Sequence, residues 1–381
     1  MTPNTTSAGR ARLGLRLVAM LLVASLVAAA CGGGGGDDET TNTTLTTEAT
    51  PTTSATADAD SVDESTETTE APTTSVVAET TEPVVADVLA PLTGLTIDEA
   101  IADRPALAAK IDNISLARPQ AGINQADVVY EERVEGGLTR LLAVYQSQDA
   151  PVLGPIRSAR STDVPLLTPL RQPLFAWSGA NAAFAQLIRS VAIRDVGFEA
   201  EAAQYTRASD RRSPSNLMTS TIDLWALVDE TGAPPMILDH LLPGGSFDAG
   251  EPAVGVDVSY RGTQVSHVWD EELGGWARTQ NGTAHVDADG VQIAPANVIV
   301  QFVDYEASGQ VDSTGAEVPE AVLEGQGVAW IFSNGRVVEG TWSKSNVTEP
   351  IQYRVPDGAP VALTPGATWV LLPEPGEATL R

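Results

Sequence analysis

The stretch "DVVYEERVEGGLTRLLAVYQ" (residues 127–146) contains two extended segments separated by a short glycine-containing connection. Residues that favour β-structure are frequent in 127–134 and in 138–146, so both segments predict strands. Alternation along the first strand places Glu131 and Glu132 on opposite faces, and we therefore do not expect these two carboxylates to act as a pair.

Further strands and helices are predicted on either side of this stretch. Segments rich in β-forming residues predict strands at 107–113, 173–179 and, more weakly, 151–156. Helices are predicted to begin at capping residues, which are Thr96 for 97–102, Asn181 for the apolar-periodic segment after it, and Ser220 for a segment that ends at Gly232. Strands interleaved with helices predict an α/β domain with a mixed sheet over residues 91–230.

The chain changes character after a proline- and glycine-rich linker at 231–252. Residues 253–381 contain many short extended runs and almost no helical periodicity. Asn-Gly at 281–282 and 334–335 is a hairpin signal, because both residue types tolerate the positive φ that tight turns need. We therefore expect a β-rich C-terminal domain.

The N-terminus has the features of a lipoprotein signal peptide. Three arginines between residues 10 and 16 precede a 14-residue apolar region that ends at Ala30. Such a region is too short to span a membrane and is typical of a signal peptide. The next residue, Cys31, resembles the cysteine of a bacterial lipobox, which predicts that residues 1–31 are a lipoprotein signal peptide and that Cys31 carries the lipid, palmitate included. The alternative is an ordinary cleaved signal with a chance cysteine.

Residues 32–90 are predicted to be a disordered tether. The segment is rich in threonine and glycine, and it has 13 acidic residues but no lysine, arginine or aromatic residue. Such a composition cannot bury enough apolar area to offset the conformational entropy of the chain. The tether would carry the folded part away from the membrane.

Charge is distributed unevenly along the chain, whose formal net charge is −28. Residues 91–230 hold 13 basic and 17 acidic residues, whereas 231–381 hold 6 and 20. So acidic a chain is not expected to bind nucleic acid.

The common catalytic and metal-binding motifs do not occur. Cys31 is the only cysteine, so neither an intrachain disulfide nor a zinc–thiolate site in the folded part is possible. No G-x-S-x-G elbow accompanies the three histidines, and "DADG" at 287–290 lacks the spacing of a calcium loop. We therefore expect no metal and no cofactor, and a non-catalytic role is favoured.

The stretch "GPIRSARSTDVP" (residues 154–165) is the best candidate site. Guanidinium groups next to the free backbone N–H groups of a helix N-terminus can bind an anion. The candidate anion-binding residues are Arg140, Arg157, Arg160 and Asp163. In the alternative interpretation Arg157 and Arg160 pair with Asp112, Asp127 or Glu135 and only stabilise the fold. A second cluster, "RASDRRSPSN", places Arg207, Arg211 and Arg212 in a loop.

Several motifs, in order, resemble the YerB-like bacterial lipoproteins, a family with a two-part domain of unknown function. They are "PLTGL" (91–95), "KIDN" (110–113), "RPQAGINQADVVYEERVEGGLTRLLAVYQSQ" (118–148), "GPIRSAR" (154–160), "SPSNL" (213–217) and a later pattern over 297–369. The family often has histidine where this sequence has Ser215. The resemblance implies a bacterial envelope lipoprotein and no established reaction.

The order of strands, arginines and aspartate is also similar to that of the LytR–CpsA–Psr envelope phosphotransferases. Those proteins hold a polyprenyl pyrophosphate with arginines and an aspartate-bound metal. Arg140, Arg157, Arg160 and Asp163 are the positions to which this similarity would apply.

Two functions remain open. The first is a non-catalytic lipoprotein, anchored through its N-terminal lipid on the outer face of the bacterial cytoplasmic membrane, that binds a cell-wall polymer or another cell-wall component, or a wall-synthesis protein. The second is an envelope phosphotransferase-like or anionic-lipid-binding domain that uses the arginine cluster.

Overall fold

The computed structural model describes residues 87–229, 232–312 and 314–381, all of which belong to one compact unit. Residues 87–229 are called the N-terminal half, and residues 232–381 are called the C-terminal half. The predictions for the signal peptide, for Cys31 and for the tether up to residue 86 lie outside the described residues.

The last residues assigned to the tether are folded. Leu89 forms a β-bridge with Thr96, and the Ala90 side chain is buried. The folded part therefore begins before residue 91, because these apolar residues pack where the sequence composition suggested only a linker.

Strands dominate both halves. In the N-terminal half they are β1 (Leu107–Asp112), β2 (Val128–Arg133), β3 (Thr139–Tyr145), β4 (Leu174–Ala176), β5 (Arg194–Asp195), β6 (Thr206–Arg207) and β7 (Leu217–Met218). In the C-terminal half they are β8 (Asp239–His240), β9 (Glu251–Pro252), β10 (Gly255–Tyr260), β11 (Thr263–Asp270), β12 (Gly275–Gln280), β13 (Thr283–Ala284), β14 (Asn297–Gln301), β15 (Tyr305–Val311), β16 (Glu317–Ala321), β17 (Gly325–Ser333), β18 (Arg336–Lys344), β19 (Gln352–Arg354), β20 (Ala362–Leu363), β21 (Thr368–Leu371) and β22 (Ala378–Leu380).

The described helices are short and lie in the N-terminal half. They are α1 (Glu99–Ala102), α2 (Asp163–Leu167), α3 (Ala182–Arg189) and α4 (Thr221–Trp225), with 3-10 turns at Ser115–Ala117, Ile123–Gln125, Glu135–Gly137, Thr168–Leu170 and Ala202–Gln204. The prediction of an α/β domain is thus only partly confirmed: the sheet is present, but helices of four to eight residues do not form the helical layers of such a domain.

Two of the predicted helix starts are confirmed and one is wrong. The side chain of Asn181 accepts a hydrogen bond from the Phe184 backbone N–H, and Ser220 caps α4 in the same way. Asp98 caps α1 in place of the predicted Thr96, because Thr96 is engaged in the bridge to Leu89.

One mixed sheet runs through both halves, in the order β19-β18-β17-β14-β21-β2-β3-β1-β4-β5, with β9 paired to β18. The strand that joins the halves is β21, which lies parallel to both β14 and β2. Its Trp369 is in register with Val298 on one side and Val129 on the other. The mixed sheet is therefore confirmed, and it extends beyond the N-terminal half to which the sequence assigned it.

The central strands are buried on both faces. On one face they pack against a second sheet, ordered β13-β12-β11-β10-β22, which contributes Val258 and Trp276 to the core. On the other face, Leu167 of α2 and Ile188 of α3 belong to the core cluster that includes Leu142 of β3. This double coverage explains why β1, β2 and β3 are buried along their whole length.

The extended segment predicted at 151–156 is not a strand. It forms isolated bridges from Leu153, Gly154 and Ile156 instead of a ladder. Pro151 and Pro155 lack backbone N–H donors, so a regular ladder cannot form along this segment.

The two Asn-Gly turns are confirmed. Asn281 and Gly282 have φ of 52° and 76° between β12 and β13, and Asn334 and Gly335 have φ of 47° and 71° between β17 and β18. Positive φ at both central residues matches the twist of the flanking strands.

Candidate functional site

The arginine stretch lies along the end of β1. Strand β4 pairs only with the first three residues of β1, and the backbone of 155–157 occupies the same side of β1 beyond that point. The Arg157 N–H donates to the Lys110 carbonyl at 2.8 Å, and the Asp112 N–H donates to the Pro155 carbonyl at 2.9 Å. Short β4 and the following irregular segment thus bring the arginines to the polar end of β1.

Arg157 forms an ion pair with a buried carboxylate. Its Nε lies 3.1 Å from Asp112 Oδ2, and the Ser215 hydroxyl donates to the same oxygen at 2.6 Å. The Arg157 side chain is 24% exposed, whereas that of Asp112 is 2% exposed. Ser215 therefore supports the Arg157–Asp112 pair.

Arg160 forms a two-point pair with Glu135. Its Nε and one terminal nitrogen donate to the two Glu135 oxygens at 2.7 and 2.8 Å. The Arg160 backbone N–H also donates to Asp163 Oδ2 at 2.7 Å. Both the guanidinium and the carboxylate are largely buried. The two parallel hydrogen bonds fix the orientation of the Arg160 side chain.

Asp163 belongs to a buried cluster around Lys110. The Lys110 ammonium lies 2.6 Å from Asp163 Oδ1 and also contacts Glu132, and all three side chains are buried. Burial raises the pKa of Glu132 to about 7; Lys110 opposes this rise and Asp163 adds to it. Because Asp163 is held by Lys110 and by the Arg160 backbone, it does not face an open site.

Arg140 differs from its neighbours because it forms no ion pair within the described part of the chain. It is 8% exposed, and it donates to the Ser158 carbonyl at 3.0 Å. Burial lowers the pKa of Arg140 to about 10, and the positive charges of Arg160 and Arg157 contribute to this decrease. The structure thus brings the four candidate residues to one end of the sheet, two in ion pairs with Asp112 and Glu135 and one, Asp163, on Lys110.

A second polar cluster, which the sequence did not indicate, lies on the opposite face of β2. Arg278 Nη1 lies 2.9 Å from Glu131 Oε2 and 3.0 Å from His267 Nε2, and Arg278 Nε lies 2.9 Å from His285 Nδ1. The guanidinium also lies 4.6 Å from the centre of a Trp369 ring. The faces of Glu131 and Glu132 are those predicted from strand alternation, since the two side chains join different clusters.

Both histidines of this cluster are neutral. Burial and then the charge of Arg278 lower the pKa of His285 to about 2 and that of His267 well below 6.5. Since Arg278, His267 and Glu131 are completely buried, the cluster is part of the core and not an open site. Arg278 lies within strand β12, and nothing in the sequence distinguishes it from an arginine on the exposed face of a strand.

Within the described ranges, no group of three or more His, Cys, Asp or Glu side chains is arranged to hold a metal ion. No helix in that part of the chain is both long enough and apolar enough to cross a bilayer.

Sequence and structure comparisons give a consistent family. Residues 92–234 match the N-terminal domain and residues 256–370 the C-terminal domain of the protein of unknown function DUF3048. A protein of Bacillus subtilis (strain 168) named "Putative lipoprotein YerB" is 28% identical over 288 residues, which cover 73% of this chain and 84% of that protein. The crystal structure of the Bacillus subtilis YerB protein superposes with a TM-score of 0.67 at 26% identity, covering 77% of this chain and 99% of that one.

Proposed function

Since the chain belongs to the DUF3048 family and is similar to a named lipoprotein, we propose that it is an envelope lipoprotein that is anchored through Cys31 on the outer face of the cytoplasmic membrane and that acts by binding. Its ligand is a cell-wall component or a wall-synthesis protein. The apolar segment before Cys31 and the acidic tether after it support the anchoring part of the proposal.

The observation that carries the binding role is the internal pairing of the ionisable groups in the arginine stretch. Arg157 is paired with Asp112, Arg160 with Glu135, and Asp163 with Lys110. A general acid or base must exchange a proton with a substrate it can reach. Ion pairs inside the fold fix the conformation of the surrounding surface, and a fixed surface is sufficient for binding a ligand.

Anchoring is tested by fractionation of cells that express the full chain or its Cys31→Ser variant. The unaltered chain is expected in the membrane fraction with an acyl label, and the variant is expected to lose both. Continued acyl labelling of Cys31→Ser would contradict the assignment of Cys31.

Binding is tested by sedimentation of the full chain with isolated cell-wall sacculi and by cross-linking in intact cells. Co-sedimentation that saturates supports a wall component, and a reproducible cross-linked wall-synthesis protein supports the other ligand. Absence of both would contradict the binding role.

One observation favours a second function, an anionic-lipid-binding or phosphotransferase-like domain. Within the described residues Arg140 forms no ion pair, and it lies close to Arg160 and Arg157 as well as to Glu135 and Asp112. Polyprenyl pyrophosphate is the probe, and the Arg140→Gln variant of the full chain is the comparison. Unchanged affinity in Arg140→Gln would rule out this use of the cluster.

A further inference from the structure

A second group of arginines lies around the loop that follows β1, and we call it the arginine face: Arg118, Arg157, Arg211 and Arg212. Within the described residues, Arg118, Arg211 and Arg212 form no ion pair, and Arg157 shares the buried Asp112 with Ser215. Uncompensated positive charge is unexpected in a chain whose net charge is −28.

Hydrogen bonds connect the chain segments that carry these arginines. The two terminal nitrogens of Arg211 donate to the carbonyls of Ala117 and Pro119, at 2.9 and 2.5 Å, and these residues flank Arg118. Arg212 is linked to Arg157 through Ser215, whose N–H donates to the Arg212 carbonyl at 3.0 Å and whose hydroxyl donates to Asp112.

Arg118 has an unused donor. Its Nε is buried and has no hydrogen-bond partner among the described residues. Burial lowers the pKa of Arg118, and the charge of Arg278 adds to the decrease while Glu131 opposes it. A buried donor without a partner costs free energy, and an anionic acceptor within hydrogen-bond distance of Arg118 Nε would remove that cost.

We propose that the arginine face binds a phosphate group. Guanidinium groups offer paired N–H donors that match phosphate oxygens, and among the described residues no carboxylate forms an ion pair with Arg118, Arg211 or Arg212. The rest of the chain is strongly acidic and would repel a long polyanion, so the ligand carries one or a few phosphates. This inference rests on the proposed binding function and names the chemical class of the ligand.

The phosphate can belong to a soluble molecule or to a lipid headgroup. Leu116 precedes Arg118 in the same loop and is 60% exposed. An exposed leucine beside arginines would enter the acyl region if the phosphate were a lipid headgroup, and it would contribute nothing to binding of a soluble phosphate.

The test uses the full chain carrying Cys31→Ser, so that a lipid anchor does not attach it to vesicles. Binding of inorganic phosphate is measured by calorimetry, and binding to phosphatidylglycerol vesicles is measured by sedimentation against phosphatidylcholine vesicles. Arg118→Gln plus Arg211→Gln is expected to weaken binding by about tenfold or more, the loss expected when charge-assisted hydrogen bonds are removed. Leu116→Ser should weaken only vesicle binding, and only if a lipid is the source.

Arg336→Gln plus Arg354→Gln is the matched control. Like Arg211, both arginines donate to backbone carbonyls and form no ion pair within the described residues, but they lie at the ends of β18 and β19, away from the loop after β1. Equal weakening in both double variants, or no binding of either probe, would overturn the proposal.

A single Arg212→Gln variant covers the case in which the double variant fails to fold, because Arg212 is exposed. It is expected to weaken phosphate binding severalfold, and unchanged affinity would overturn the proposal. Loss of wall binding with retained phosphate binding would contradict the proposed function alone, and the reverse result would contradict only the arginine face.

Discussion

The guanidinium of Arg278 lies 2.9 Å from the carboxylate of Glu131, and neither side chain is exposed to solvent. Arg278 is on β12 of the second sheet, and Glu131 is on β2 of the main sheet. This buried ion pair therefore connects the two sheets, and it connects residues that are 147 positions apart in the chain.

Arg278→Met is expected to lower the free energy of unfolding by about 3–5 kcal/mol, because it leaves the Glu131 carboxylate buried without a cation. Urea unfolding of the full chain measures the change. Arg381→Met is the control, since its pair with Asp257 is exposed and is worth less than about 1 kcal/mol. Adding Glu131→Gln to Arg278→Met should restore part of the stability, and a purely additive loss would contradict the coupling.

Stability is expected to depend on pH through Glu132. Burial raises the pKa of Glu132 from 4.5 to about 7 in the folded chain. The folded state therefore binds this proton more tightly than the unfolded state, so the stabilising contribution is present below about pH 4.5 and is lost as the pH rises to about 7.

Unfolding titrations between pH 4.5 and 7 test this dependence. Glu132→Gln should flatten the decrease in stability over this range, whereas Glu339→Gln, at an exposed position, should leave it unchanged. Asp127, whose pKa is also raised by burial, contributes in the same direction and is intact in both variants. Identical slopes in Glu132→Gln and the unaltered chain would refute the assignment.

Arg160→Ala is expected to destabilise the fold more than Arg157→Ala. The first breaks a largely buried two-point pair and should cost about 3 kcal/mol, whereas the second removes a partly exposed single contact and should cost about 1 kcal/mol. Chemical unfolding of the two variants measures the loss of free energy of unfolding in each. Equal losses would show that burial does not set the strength of these pairs.

Gly250→Ala is expected to be severely destabilising, because a Cβ there would lie 1.9 Å from the Val337 carbonyl oxygen and because φ is +73°. Gly274 also has a positive φ, of +60°, but a Cβ there meets no atom within 4 Å. Gly274→Ala should therefore cost only about 1–2 kcal/mol, the penalty of the left-handed conformation. Thermal unfolding followed by circular dichroism compares the two, and similar midpoints would contradict the steric argument.

Strand positions and helix caps were predictable from the sequence, because they depend on residues close together in the chain. Strands β1, β2 and β3 begin and end within one or two residues of the predicted segments, and Asn181 and Ser220 cap helices as expected. The helical layers expected of an α/β domain are absent from the described residues. Helices this short are not stable by themselves, so each helix extends only as far as it packs against the sheet.

The structure brings the four candidate residues together, but their ion-pair partners could not be predicted from the sequence. The resemblance and the motif spacing pointed to Arg140, Arg157, Arg160 and Asp163, and the structure places all four at one end of the sheet. Which carboxylate pairs with which arginine depends on strand register and on the path of the chain between β3 and α2, and several acidic residues were equally available in the sequence.

The sequence by itself determined the features that arise within a few residues: strand alternation, helix caps, Asn-Gly turns, the apolar segment before Cys31 and the acidic composition after it. Only the tertiary structure decided that β21 lies between β14 and β2, and that Arg278 reaches Glu131. The physical reason is that side-chain period and backbone φ are set by neighbours in the chain, whereas strand order and buried ion pairs are selected by the packing of segments far apart in sequence.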